Sequence, residues 1–185
     1  AVANRVSAYA TRHSAPAWSG VYFFASAAAL MVTAAGLLQT LGVDAWHNQA
    51  PWLMLIPLAY MAASRLWRGH SPAEPLYWVA QASTAVILFH VAAAAAISVE
   101  SFGLVFQPGE LHRQNLLLGL VFVEAAVFYT LGMVFRRRSA NVYLAAAAAC
   151  GAMWQLLGYW DVPGPYYTMM YAALGIGLLA VSRAM

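Results

Sequence analysis

Two side chains able to exchange a proton stand inside long apolar runs of this sequence, His90 and Glu124. An ionisable group within hydrocarbon is costly, so it is expected to face other helices and to have a partner there. Counting back from the outer ends of their runs gives about 7 residues to His90 and about 8 to Glu124, a depth of roughly 10–12 Å at 1.5 Å per residue. Gln155, beside Trp154, reaches a similar level, and Thr33 and Gln39 extend the polar set. The expectation is an outer-half polar site formed by His90, Glu124 and Gln155. As function it reads as a proton-linked or cation-linked binding site. As structure it reads as an interhelical hydrogen bond setting register, a contribution averaging only about 0.6 kcal/mol inside membranes. The structural reading ranks ahead.

Other chemistry is sparse. A haem held between helices needs two facing axial ligands, commonly His. His90 alone is well inside an apolar run, while His13, His47, His70 and His112 fall in loops or at boundaries. No cofactor is therefore expected. His112 with Glu110 supplies two ligands, too few to define a metal site. Phosphate-cradling, HExxH and nucleophile-elbow motifs do not occur in a suitable context, and Gly175-x-Gly177 reads as a close-packing surface. Cys150 is the single cysteine, so neither a disulfide framework nor a CxxC site is available. Arg136, Arg137 and Arg138 read first as a topology signal, with contact to anionic lipid headgroups as an additional role. The cluster Tyr166, Tyr167, Met169, Met170 and Tyr171 is expected at the outer interface, with a lipid or quinone groove as the alternative.

The elements that would position these groups follow from composition. Of 185 residues, 63% are hydrophobic and only 8% are charged, with a mean hydropathy of +0.67. A soluble domain carries about 25% charged residues, enough to cover its surface. This chain is therefore expected to be an all-α polytopic integral membrane protein. Its apolar runs are continuous, without the period-2 alternation of a barrel wall, and backbone in lipid must bond internally. Spans are expected near 21–42, 50–67, 76–99, 116–135, 142–160 and 166–184, six transmembrane helices after an N-terminal arm of residues 1–17. Pro51 and Pro165 fall at or near span starts, where a missing N–H is harmless, and Pro57 should kink the second span.

The arginines test this count independently. There is no lysine, and with Arg113 the one base in the outer loops, the other eight of nine bases lie on the opposite side. Arg5 and Arg12 precede span one, Arg65 and Arg68 follow span two, Arg136–Arg138 follow span four, and Arg183 ends span six. Asp44, Glu100, Glu110 and Asp161 lie in the alternate loops. The arginine-rich side is expected to be cytoplasmic, with both termini there, as in a bacterial inner membrane. Trp18, Trp67 and Trp78 would mark the inner boundary, and Trp46, Trp52 and Trp160 the outer one. The pI near 9.2 reflects these loop arginines and gives no basic face for nucleic acid. Residues 101–108, with Phe102, Leu104, Val105 and Phe106, are too short to span and too apolar for water; an interfacial anchor is expected.

The outward-running spans resemble one another. They begin Tyr22-x-x-Ala25-x-Ala27, Tyr77-x-x-Ala80-x-Ala82 and Tyr143-x-x-Ala146-x-Ala148, and two inward spans carry Tyr60 to Arg68 and Tyr129 to Arg137 at one spacing. The unit would be an out-and-back helical hairpin used three times. Residues 12–16 and 68–72 are also alike, and Arg183 falls where a further inner loop would begin, so the chain is expected to be an excerpt of a longer array. Three function classes follow. A membrane-embedded scaffold or anchor region of a larger protein ranks first, its partners the lipid bilayer and further transmembrane helices or subunits. A proton- or cation-linked small-molecule transporter module ranks second, because transporter repeats are often inverted. An enzyme acting on a lipid or quinone at the outer face ranks last, for want of a second clear catalytic group.

Overall fold

The structure, a computed structural model, describes residues 16–43, 46–70, 72–100 and 108–184. Among these the chain forms six α-helices and no strand: α1 (Pro16–Thr40), α2 (Trp46–Leu66), α3 (Ala73–Glu100), α4 (Pro108–Arg136), α5 (Ser139–Tyr159) and α6 (Pro165–Ala184). Three of them open on proline, whose fixed φ suits the first turn and whose absent N–H is lost at no cost there. Four of the six are long and apolar enough to cross a membrane, in α1, α3, α4 and α5. The 21-residue α2 holds Gln49, Ser64, Arg65 and two internal prolines, which lower its hydropathy. The N-terminal arm, Asp44, residues 101–107 and the side chains of Trp18, Trp46, His47, Glu110 and His112 lie outside the described residues.

Helix ends depart from the apolar runs in a regular way. The helices α3 and α4 extend to 28 and 29 residues, beyond the apolar runs expected near 76–99 and 116–135, because polar or charged residues at the end of an apolar run continue the helix. Pro51, expected at a span start, lies well inside α2, since the helix begins at Trp46. Both Pro51 and Pro57 therefore remove a donor from the helix ladder.

The chain divides into two compact units, residues 1–95 and 96–185. In unit 1, Met54, Pro57, Met61 and Ser64 form one buried stripe of α2, and Tyr77, Ala80, Thr84, Ile87 and Val91 one buried stripe of α3. These spacings of three and four residues keep one face of each helix turned inward. The helix α1 contributes Ser26 and Ala27 to the interior. It ends in a left-handed glycine, Gly42 at φ 81°, with Val43 N–H donating to Leu38 O and Gly42 N–H to Gln39 O. This is the paired-bond terminus that Gly makes without strain.

Unit 2 is built on the α4–α5 hairpin. Its antiparallel register is set where glycine lets one helix approach the other. A Cβ on Gly151 would stand 3.0 Å from the Phe122 ring, one on Gly119 3.0 Å from Leu156, and one on Gly158 3.0 Å from the Asn115 amide. The turn between them is short: Arg137 is left-handed at φ 51°, its N–H donating to Met133 O at 2.8 Å, and α5 begins at Ser139. The helix α6 joins α5 through Tyr171, whose hydroxyl donates to Cys150 O at 3.0 Å, and through an edge contact of Tyr167 on Trp154 with ring centres 5.6 Å apart. The tyrosines that open the three similar outward runs meet different surroundings: Tyr77 is buried, Tyr22 half-buried and Tyr143 76% exposed.

Candidate functional site

The polar residues of the apolar runs separate between the two units. His90 is in unit 1, and Glu124 and Gln155 are in unit 2. Within unit 1, His90 lines a cleft of about 400 Å³ shared by α1, α2 and α3, and the other polar side chains lining it are Gln39 and Gln49. The sequence placed Gln39 at this level. Gln49 it did not single out, because a glutamine near a span's end reads as an ordinary boundary residue.

Each of the three is held by local structure. Gln39 sits in the last turn of α1, one helical step from Ala35, which also lines the cleft. Gln49 sits in the first turns of α2 and is only 7% exposed. Its Nε2 donates to the Val43 carbonyl just beyond α1, so it fastens the α1–α2 turn. A carbonyl can only accept, so the amide nitrogen is the atom on Val43 and Oε1 remains an acceptor. His90 is on the exposed side of α3, one turn after Val86, and both line the cleft. Thr33, by contrast, is exposed and bonds back to the Ala29 carbonyl of its own helix at 2.7 Å, an arrangement that removes its hydroxyl from other use.

The remaining lining is apolar, including Met31, Val32, Leu53 and Ile87. Val32 and Val86 are 74% and 66% exposed, so the mouth of the cleft opens sideways, on the apolar outside of the helices. Pro57 contributes a further feature. It has no N–H to give the Leu53 carbonyl, the acceptor it would serve in an unbroken helix, and Leu53 lines the cleft. Among the described residues no acidic side chain and no arginine lines the cleft.

In unit 2, Glu124 is half-buried on α4, and its Oε2 is sealed from solvent with no hydrogen-bond partner among the described residues. Gln155 lies beside Gly119, with its Cβ 3.5 Å from the position a Cβ on Gly119 would take. Five residues of α4 separate Gly119 from Glu124, about 7.5 Å along the axis. With Gly151 against Phe122, the stretch of α5 nearest Glu124 in register is the small-residue run around Ala149 and Cys150. A second cleft of about 370 Å³ runs between α4 and α5, lined by Val127, Thr130, Ala152, Met153 and others, and Glu124 is not in its wall. Its one polar side chain, Thr130, bonds back to the Ala126 carbonyl at 2.7 Å.

Sequence reasoning also passed over Gln81 and Thr84, whose Nε2 and Oγ1 are buried in unit 1 without a hydrogen-bond partner among the described residues. Their spacing of three on one face of α3 was the available signal. Arg137 and Arg138 are exposed and Arg136 half-buried. Compared with models of known protein families, with characterised proteins and with solved structures, the chain finds no match.

Proposed function

We propose that this chain is the membrane-embedded region of a polytopic protein, crossing the bilayer six times with both ends at the cytoplasmic face and serving as a scaffold for helices or domains joined to it. The observation that carries this is an inverted distribution of polarity. Within the four most apolar segments only 11–39% of the residues are buried inside the protein, while Leu66, Phe89, Ile176 and Leu179 are each 65% exposed or more. Ser26, Gln49, Ser64, Thr84 and Asn141 are buried instead. In water such a surface would aggregate, whereas hydrocarbon is its natural solvent. Exposed Trp52, Trp67, Trp78 and Trp160 stand at or near helix ends, where an aromatic belt meets the headgroups. At 21 and 20 residues, α2 and α6 would each reach about 30 Å, the thickness of the hydrocarbon layer, and six crossings put the arginine-bearing turns on one side.

The test is accessibility from each side of the membrane, in a Cys150→Ala background. A cysteine at Ser139 should react only with reagent on the cytoplasmic side, and one at Gly164 only from outside. Reaction of both from the same compartment overturns the topology.

One observation favours a second reading, proton- or cation-linked transport through His90, Glu124 and Gln155: the buried Oε2 of Glu124 has no hydrogen-bond partner among the described residues. That reading requires the two units to bring His90 and Glu124 together. In the Cys150→Ala background, cysteines at positions 90 and 124 should then form a disulfide with mild oxidant, and absence of the crosslink removes it.

A further inference from the structure

We propose that the cleft among α1, α2 and α3 binds a neutral, membrane-dissolved molecule whose polar end is a hydroxyl, an apolar alcohol or phenol. The proposal rests on the membrane reading of unit 1, though not on the number of spans. The chemistry is set by the atoms the cleft leaves uncommitted. Gln49 is 7% exposed and spends its amide nitrogen on Val43, so its Oε1 calls for a donor. No hydrogen bond engages the Gln39 side chain among the described residues, and its amide can donate or accept. A hydroxyl both gives and receives a hydrogen bond, so one such group satisfies Gln49 and Gln39 together. A ketone or an ester could answer only the donors.

Charge narrows the class further. Among the described residues no arginine, aspartate or glutamate lines the wall, so an ammonium group meets no carboxylate there and a phosphate no guanidinium. Delivery is from the side: the mouth is framed by Val32 and Val86, 74% and 66% exposed, on the face that meets lipid. The volume of about 400 Å³ takes a ring or a short chain with its hydroxyl. The α4–α5 cleft, of similar size at about 370 Å³, has no uncommitted polar side chain in its wall and serves as the internal control.

The experiment uses the full chain in phosphatidylcholine nanodiscs, with two probes that differ only in the donor: ring-fluorinated 4-octylphenol and its methyl ether. Binding is followed by fluorine NMR. The phenol should bind saturably and about ten-fold more tightly than the ether, the difference expected when a buried acceptor is left without its donor. Gln39→Leu should weaken the phenol about five-fold and leave the ether unchanged. Ala35→Trp, which fills the cleft, should abolish binding of both, and Ala126→Trp in the α4–α5 cleft should change neither. Helix content and flotation with lipid vesicles confirm that each variant is folded and inserted. Equal affinity for phenol and ether, or binding that survives Ala35→Trp, overturns the proposal while the membrane reading stands. Failure of the unmodified chain to float with vesicles overturns both.

Discussion

The α1–α3 region and the α4–α5 hairpin, each holding helices apolar enough to cross a membrane, pack by different means. In the hairpin, glycines at 119, 151 and 158 bring the helices so close that any side chain there would strike its neighbour at 3.0 Å. Its cleft is correspondingly plain, with a single hydroxyl turned back onto its own helix. In unit 1 the glycines at 20 and 36 of α1 have open space around them, and polar groups gather instead: Ser26, Gln49, Ser64 and Thr84 are buried, and Gln39, Gln49 and His90 line one cleft. Without a hydrophobic drive between helices in lipid, association depends on close van der Waals approach or on polar contacts. The hairpin uses the first. Unit 1 buries more polar side chains, among them Ser64, which bonds back to Met61 O of its own helix, and Thr84, which has no partner among the described residues.

The sharpest challenge to this contrast is a pair of glycine substitutions. Gly151→Leu should destabilise the hairpin by about 3 kcal/mol, the upper range for overpacking a tight interface, because the Phe122 ring has to leave its place. Gly36→Ala meets nothing within 4 Å and should be neutral or stabilise by up to ~1 kcal/mol, since alanine is the better helix former. Thermal unfolding in detergent, monitored by helix content, measures both. Equal effects would mean that the hairpin's glycines do not set its packing.

The turns offer a finer comparison. The helices α1 and α5 end alike, the second with Val162 N–H on Leu157 O and Asp161 N–H on Gly158 O. Unit 1 places Gly42 at the left-handed position, φ 81°, whereas unit 2 places Asp161 there, φ 48°. Gly42→Ala should therefore cost about 1 kcal/mol, and Asp161→Gly should gain about 0.5 kcal/mol, the strain that a short polar side chain carries in this conformation. The same unfolding midpoints decide the matter. A loss of stability in Asp161→Gly would show that the carboxylate contributes more than its backbone strain removes.

How much could be read beforehand differs from element to element. The apolar runs beginning at Val21, Leu76, Leu116 and Val142 lie in helices with the right composition to cross a membrane, because hydropathy over about 20 residues is a local sum. Pro51 misled about the start of α2, since a proline at a first turn and one inside a helix look alike until the flanking residues are placed. His90 was recognisable as unusual, but its companions were not. The depth count set it with Glu124 and Gln155, whereas within unit 1 its cleft is shared with Gln39 and Gln49. Counting from helix ends gives a level along the axis and nothing about the face.

Sequence alone determined that these segments are helical, that their surfaces are apolar and that arginines alternate with their turns, because backbone bonding and transfer from water depend on neighbouring residues. Tertiary structure decided which polar groups meet. It set the Cβ of Gln155 beside Gly119, and it turned Gln49 onto Val43 so that one oxygen is left to accept. Such choices depend on the register and rotation of one helix against another, which atomic packing fixes over distances that no local pattern in the chain encodes.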